Sequence, residues 1–215
     1  GDVHCCPVVL SYLVMTKTQI LLFANEKAFP AEIKDALAKD GVTLLPYDNI
    51  YEYVKTFTTD MKVLLCKKKA NSRLVGSIPE GVAVLDEENL TFLPKAIKNP
   101  VEVENERIAH IKDGVALTKF IYWLKKNVGK IPMTELSVTE KLYSLRKQQK
   151  NFISNSFDPI ISYGVHAAIN HYSATPETDI SIEPGNFVLA DTGGHYYEGT
   201  TDTTRTIVMG SVNDE

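Results

Sequence analysis

The stretch from Asn186 to Thr206, NFVLADTGGHYYEGTTDTTRT, holds the densest polar constellation in the chain, and the rest is best read outward from it. Asn186 to Ala190 has the apolar run of a strand and ends in Asp191. Gly193 and Gly194 can turn the backbone, and Asp202 falls within a second extended run, Thr200 to Met209. The two carboxylates can then face each other across neighbouring strands. Two acids converging on one point need a cation or a proton. Carboxylate oxygens suit Mn, Mg or Ca, and mixed oxygen and imidazole sites admit Zn, Co or Fe. Blander readings stay open: Asp191 starts a turn, and Asp202 pairs with Arg205 on the surface. Asp191-Thr192-Gly193 is also the short signature of aspartic proteases, in which two aspartates share a proton. An EF-hand loop is disfavoured, because no Asp or Asn alternation leads to a Gly at the sixth position.

Upstream, Gly164-Val-His166-Ala-Ala-Ile-Asn170-His171-Tyr172 reads as a strand over Ala167 to Tyr172, with His171 on the face opposite Asn170. Either imidazole can serve as ligand, proton shuttle or donor to an oxyanion, although a lone strand histidine is more often structural. His4 and His110 sit in no functional pattern. Pro159 to Tyr163 reads as a further strand. Asn99-Pro100 offers an N-cap followed by Pro at the first helical position, and apolar residues from Ile108 to Leu124 recur at helical spacing. The spacing predicts an amphipathic helix over Pro100 to Lys126. Ser137 with Glu140 suggests a capping box opening a second helix to about Lys150. The first hundred residues alternate short strands and helices, beginning with a hairpin turned at Thr16 to Thr18, as in an α/β layer domain. The pattern breaks between Leu93 and Asn99. Two domains are therefore expected, 1–97 and 98–215, in an α/β (α+β) chain.

Composition agrees with a folded chain of this kind. Of 215 residues, 44% are hydrophobic and 23% charged, enough to bury a core. The formal charge of −4 gives no global field to attract nucleic acid or an anionic membrane, so neither is an expected partner. No run reaches the roughly 18–20 apolar residues that a membrane-spanning helix needs. Three cysteines, Cys5 and Cys6 adjacent and Cys66 remote, make a poor disulfide framework and favour a reducing, cytoplasmic compartment.

Taken together, Tyr163-Gly-Val-His166-Ala-Ala-Ile-Asn170-His171-Tyr172, the twenty positions from His171 to Asp191, and the two runs Asp191-Thr-Gly-Gly and Gly199-Thr-Thr-Asp202-Thr-Thr-Arg-Thr206 resemble one family. It is the Xaa-Pro aminopeptidase branch of the pita-bread metallopeptidases. The likeness extends back through Lys95 to Pro100 and Glu106 to Asp113 as far as Gly1-Asp2-Val3 and Pro7-Val8. Where relatives usually carry Asn before that Pro, this chain has Cys6. The resemblance implies a creatinase-like α/β domain, incomplete at its start, followed by the first half of a pita-bread catalytic domain. It implies Asp191 and Asp202 as two of five ligands to two divalent ions, usually Mn with Zn or Co as alternatives. His171 would contact substrate near the scissile bond, with His166 also on the substrate side. Thr201, Thr204 and Tyr172 would hydrogen-bond the ligands into place.

Such a site would activate water without a protein nucleophile, and the resemblance implies release of the residue preceding proline from a peptide. A cytoplasmic homodimer is expected of the full-length enzyme. The family's other ligands, a His and two Glu, lie far downstream of the second Asp, and only thirteen residues follow Asp202 here. The chain is therefore expected to be a fragment without turnover of its own. A prolidase-type dipeptidase, or a pita-bread module that binds peptides without cleaving them, remain the alternatives.

Overall fold

Thr16 closes the first turn of the chain: its N–H donates to the Gln19 carbonyl and its hydroxyl oxygen accepts from the N–H groups of Thr18 and Gln19. The expected hairpin results, with β1 (Ser11–Met15) antiparallel to β2 (Ile20–Ala24). The computed structural model describes residues 2–212. The first unit continues through α1 (Ala31–Lys39), β3 (Val42–Pro46), α2 (Asn49–Val54), β4 (Lys62–Leu65), α3 (Ser72–Ser77), β5 (Ala83–Asp86) and a short α4 (Phe92–Ala96). β3 joins β2 in parallel, while β4 and β5 form a separate parallel pair. Leu21, Phe23, Ile50, Tyr51 and Val54 make its core.

The second unit gathers the chain from Lys98 onward, together with the turn His4–Cys6. It opens with α5 (Pro100–Asn127), whose start follows from local chemistry. The Asn99 side chain accepts from the Glu102 N–H at 2.9 Å, and the Glu102 carboxylate accepts from the Asn99 N–H at 2.8 Å. α6 (Glu135–Arg146) begins three residues earlier than a cap at Ser137 with Glu140 suggests. Thr134 is the cap and Ser137 its reciprocal partner, each accepting from the other's backbone N–H. Thr134 can serve because its backbone is extended, bridging Ser181.

Five strands follow: β6 (Phe152–Asn155), β7 (Ile160–Tyr163), β8 (Asn186–Thr192), β9 (Gly194–Tyr196) and β10 (Thr203–Met209). β8 lies between β7 and β10, antiparallel to both, and β6 pairs with β9. One face of this three-stranded sheet, bearing Ile161, Val188, Ala190, Ile207 and Met209, packs on Leu117, Phe120 and Leu124 of α5 and Val138 and Leu142 of α6. Alternation along the strands sends the intervening residues to the other face, where the candidate site lies.

Two expected strands differ from what forms. Ala167 to Tyr172 is not extended: Gly164–Ala168 is a 3₁₀ helix, followed by turns in which Ile169 donates to the His166 carbonyl and Tyr172 to that of Ile169. Gly164 and His171 both have φ of +56°, a left-handed conformation no strand accommodates. The run expected from Thr200 starts at Thr203, which leaves Asp202 just outside β10.

Candidate functional site

Asp191 is the next-to-last residue of β8, on the face turned away from the helices. Its cross-strand neighbours are Ile160 on β7 and Thr204 on β10, and the Thr204 hydroxyl donates to Asp191 Oδ1 at 2.8 Å. Beyond the end of β10 the same register continues. The Thr201 N–H donates to the Gly194 carbonyl and the Gly194 N–H to Thr201 Oγ1, each at 2.9 Å. Asp202 lies two residues from Thr204, so the pleat turns it to the side that Asp191 occupies, as its diagonal neighbour. Cα atoms in that relation are roughly 7–8 Å apart.

Asp191 does not merely open a turn, since it is held within the strand. Among the described residues neither acid forms an ion pair. The surface pair between Asp202 and Arg205 does not form. Arg205 falls on the opposite face by alternation, and its guanidinium donates to the Thr204 carbonyl at 2.7 Å. Two hard oxygen donors without a cation partner are the ligand chemistry that suits Mn or Mg, so the residues present fit a divalent ion.

A depression of about 300 Å³ opens on this face, lined by Asp191 and Thr204 together with Ile160, Ser162, Leu189 and His171. His171 therefore reaches the same hollow as Asp191, presented by an exposed left-handed turn. His166 does not line it. The Nδ1 of His166 is 3.0 Å from both oxygens of Glu135, and its ring lies against Tyr172 with centroids 4.4 Å apart.

Glu135 is fully buried and also accepts from the Tyr163 N–H at 2.7 Å and the Tyr172 hydroxyl at 2.9 Å. The Tyr172 hydroxyl thus serves Glu135 and lies beside Thr178, rather than bonding Asp191 or Asp202. Burial pushes the Tyr172 phenol up, and the Glu135 carboxylate adds to that. No sequence pattern singles out Glu135, because an acid in the first turn of a helix reads as a partner for the helix dipole. In the fold it ties α6 to the loop that presents His171.

Thr201 is buried and braces the bend between β8 and β9 rather than contacting either acid. Its carbonyl accepts from the Ser156 hydroxyl at 2.8 Å, and the Ser156 N–H donates to the Gly193 carbonyl at 3.1 Å. A Cβ on Gly193 would overlap the Thr201 carbonyl oxygen and Ser156 Oγ, so only glycine fits there. Gly193→Ala is expected to cost about 1–3 kcal/mol in chemical denaturation through overpacking, and to shift Asp191 and Asp202 relative to each other. Gly199→Ala should cost less, because the overlap there is with the end of the Glu106 side chain, which can rotate away.

Behind the strand end lies a second buried network. Arg146 Nε and Nη2 donate to the two oxygens of Asp113 at 2.7 and 3.1 Å, and Nη2 donates to Thr192 Oγ1 at 3.0 Å. The Tyr196 hydroxyl donates to Asp113 Oδ1 at 3.0 Å. Burial first, and the Asp113 charge second, push the Tyr196 phenol well above its ordinary value. A raised folded-state value stabilises fully below the unfolded phenol's pKa of about 10, and that stabilisation is lost as pH rises toward the folded value. Unfolding measured from about pH 9 to 11.5 should show stability falling with pH, less steeply in Tyr196→Phe.

Known proteins resemble the chain along its whole length. Residues 1–102 match the creatinase/prolidase N-terminal domain and residues 104–215 match metallopeptidase family M24. Xaa-Pro aminopeptidase 1 of Dictyostelium discoideum is 34% identical over 98% of this chain, which spans 34% of that protein. A crystal structure of the X-prolyl aminopeptidase of Caenorhabditis elegans, described as a cytosolic enzyme with a di-nuclear active site, superposes with a TM-score of 0.92 at 27% identity. It covers 99% of this chain and 36% of its own. An Xaa-Pro dipeptidase from Bacillus anthracis shares the fold at a TM-score of 0.74 and 20% identity, over 97% of this chain and 57% of its own. The chain thus spans about a third of the length of the aminopeptidases it matches. With half of its residues matched to that catalytic domain, the chain belongs to metallopeptidase family M24.

Proposed function

We propose that the protein carrying this chain is a metal-dependent Xaa-Pro aminopeptidase, releasing the N-terminal residue from peptides with proline in second position. The observation that carries this reading is Asp191, held on the open face of the sheet beside Thr204, with Asp202 two residues from Thr204 and neither acid in an ion pair among the described residues. Asp191 and Asp202 are two of the residues that would hold a pair of divalent ions, Mn by preference and Zn or Co as alternatives. Such a pair polarises the peptide carbonyl and makes water a competent nucleophile at neutral pH.

The chain's own residues prepare that chemistry. Thr204 holds Asp191 Oδ1 and leaves Oδ2 free to bind, which fixes the carboxylate before an ion arrives. His171, on the wall of the same depression, can donate a proton to the carbonyl oxygen at the scissile bond. The Glu135 network keeps the His171 loop folded against α6. Among the described residues no helix is long and apolar enough to cross a membrane. A cytoplasmic enzyme, assembling as a homodimer, completes the proposal; the cytosolic character of the Caenorhabditis elegans enzyme supports the compartment.

Full-length protein supplied with Mn is expected to release the first residue of an Xaa-Pro-Xaa tripeptide and to lose that activity to a chelator. Residues 1–215 alone should show no turnover. Faster cleavage of an Xaa-Pro dipeptide would favour a prolidase, and chelator-insensitive cleavage would overturn the metal mechanism.

A further inference from the structure

His4 and Cys5 form the corner of a turn that belongs by its contacts to the second unit, and both side chains meet Asp158 in the loop between β6 and β7. A ring nitrogen of His4, Cys5 Sγ and a carboxylate oxygen of Asp158 all lie within 4.8 Å of one another. We propose that these three residues form a second metal site, separate from Asp191 and Asp202, that takes a borderline-soft divalent cation of the Zn²⁺ type.

The donor set sets the metal class. Thiolate, imidazole and carboxylate are the three side-chain ligands that Zn²⁺ accepts, at bond lengths of about 2.3, 2.0–2.1 and 2.0–2.2 Å respectively. A thiolate is a poor ligand for Mn or Mg, which distinguishes this site from the all-oxygen pair on the sheet. Tetrahedral bonds of those lengths put ligand atoms about 3.3–3.7 Å apart. His4 Nε2 and Asp158 Oδ1 are at present hydrogen-bonded at 2.9 Å, so a cation needs them to part by only a few tenths of an ångström. Three protein ligands leave a fourth position to water.

The turn is held in shape from behind. His195 Nε2 donates to the Cys5 carbonyl at 2.7 Å, while His195 Nδ1 lies 2.8 Å from the Thr200 hydroxyl, which fixes the ring. Cys5 has φ of +51°, a conformation that costs a non-glycine residue energy, at the turn where the three donors lie together. His4 and Asp158 are 80% and 70% exposed, so an ion can enter from solvent, and their hydrogen bond alone is too exposed to be a strong structural clamp.

Cobalt is the direct probe, because a thiolate bound to Co²⁺ absorbs by charge transfer in the near ultraviolet and an all-oxygen site does not. Titrating the reduced protein with Co²⁺ in a phosphine reductant should give that band at one equivalent, bleached by added Zn²⁺. Cys5→Ser should abolish it, whereas Cys6→Ser and Cys66→Ser should leave it. His4→Gln and Asp158→Asn should each weaken binding by about tenfold or more, through loss of a ligand and, for Asp158, its charge. Circular dichroism checks that each variant is folded, and His4→Gln provides the test if Cys5→Ser is not. The absence of a band, its survival in Cys5→Ser, or indifference to both His4→Gln and Asp158→Asn would each overturn the proposal. Asp191→Asn should not alter the band, so failure of the peptidase assignment and failure of this one are read separately.

Discussion

Asp191→Asn in the full-length protein is expected to lower turnover of an Xaa-Pro-Xaa peptide by about 10³-fold or more while leaving the fold intact. Asn keeps the shape of the side chain and can still accept from the Thr204 hydroxyl, so the strand pairing should survive. The loss is the negative charge. If Asp191 is a ligand as proposed, the ion it holds contributes several kcal/mol to the transition state, and each 1.36 kcal/mol is tenfold in rate. Bound Mn measured by elemental analysis should fall with the rate. Asp202→Asn should behave alike, and Thr204→Val should cost less, about 10–100-fold, because it disturbs only the orientation of a ligand. Retention of near-normal activity with two bound ions in either Asn variant would remove both residues from the ligand set.

A comparably large effect on stability is expected from Asp113→Ala. Arg146 is 1% exposed, and its only charged partner among the described residues is Asp113. Removing the carboxylate strands a guanidinium in the interior, for which about 3–5 kcal/mol is the usual cost. The single tryptophan, Trp123, packs against the core of the same unit, so its fluorescence reports this unfolding directly. A fall of roughly 10 °C or more in the melting temperature is expected. The double variant Asp113→Leu with Arg146→Met should recover much of the loss, because no charge is then left unpaired. A melting temperature within a degree or two of the unsubstituted protein in Asp113→Ala would show that the pair contributes little.

What could be read from sequence follows the range of the interactions involved. The long helix α5 was legible because its cap, its proline and its apolar spacing all lie within one stretch. The strand before Asp191 was legible for the same reason, and its partner strand nearly so. Ala167 to Tyr172 misled, because its apolar residues mimic a strand while the turns depend on left-handed backbone at Gly164 and His171. The true cap of α6 lies at Thr134, since chain pairing at Ser181 holds that residue extended. β6 and β9 are short and largely polar, and they exist because each supplies the other's hydrogen bonds. Asp113 and Arg146 each look like surface charges, and only packing across 33 positions brings them together inside the protein. Glu135 and His166 are likewise separated by 31 positions. At the candidate site, the polar run makes the two acids and His171 stand out, whereas the hydrogen bonds of Tyr172 to Glu135 and of Thr201 to Gly194 depend on contacts that no local pattern reveals.

The reciprocal cap at Asn99 bears on how the protein can be dissected. A recombinant piece beginning at Pro100 would lose the Asn99 side chain and fray the first turn of α5, at about 1 kcal/mol. One beginning at Lys98 retains the cap, yet still discards Cys5 and exposes the His195 ring nitrogen to bulk water. Trimming the catalytic portion to its nominal limits would therefore remove a contact made by residues almost a hundred positions upstream. Joining His4–Cys6 back through a short tether would preserve it.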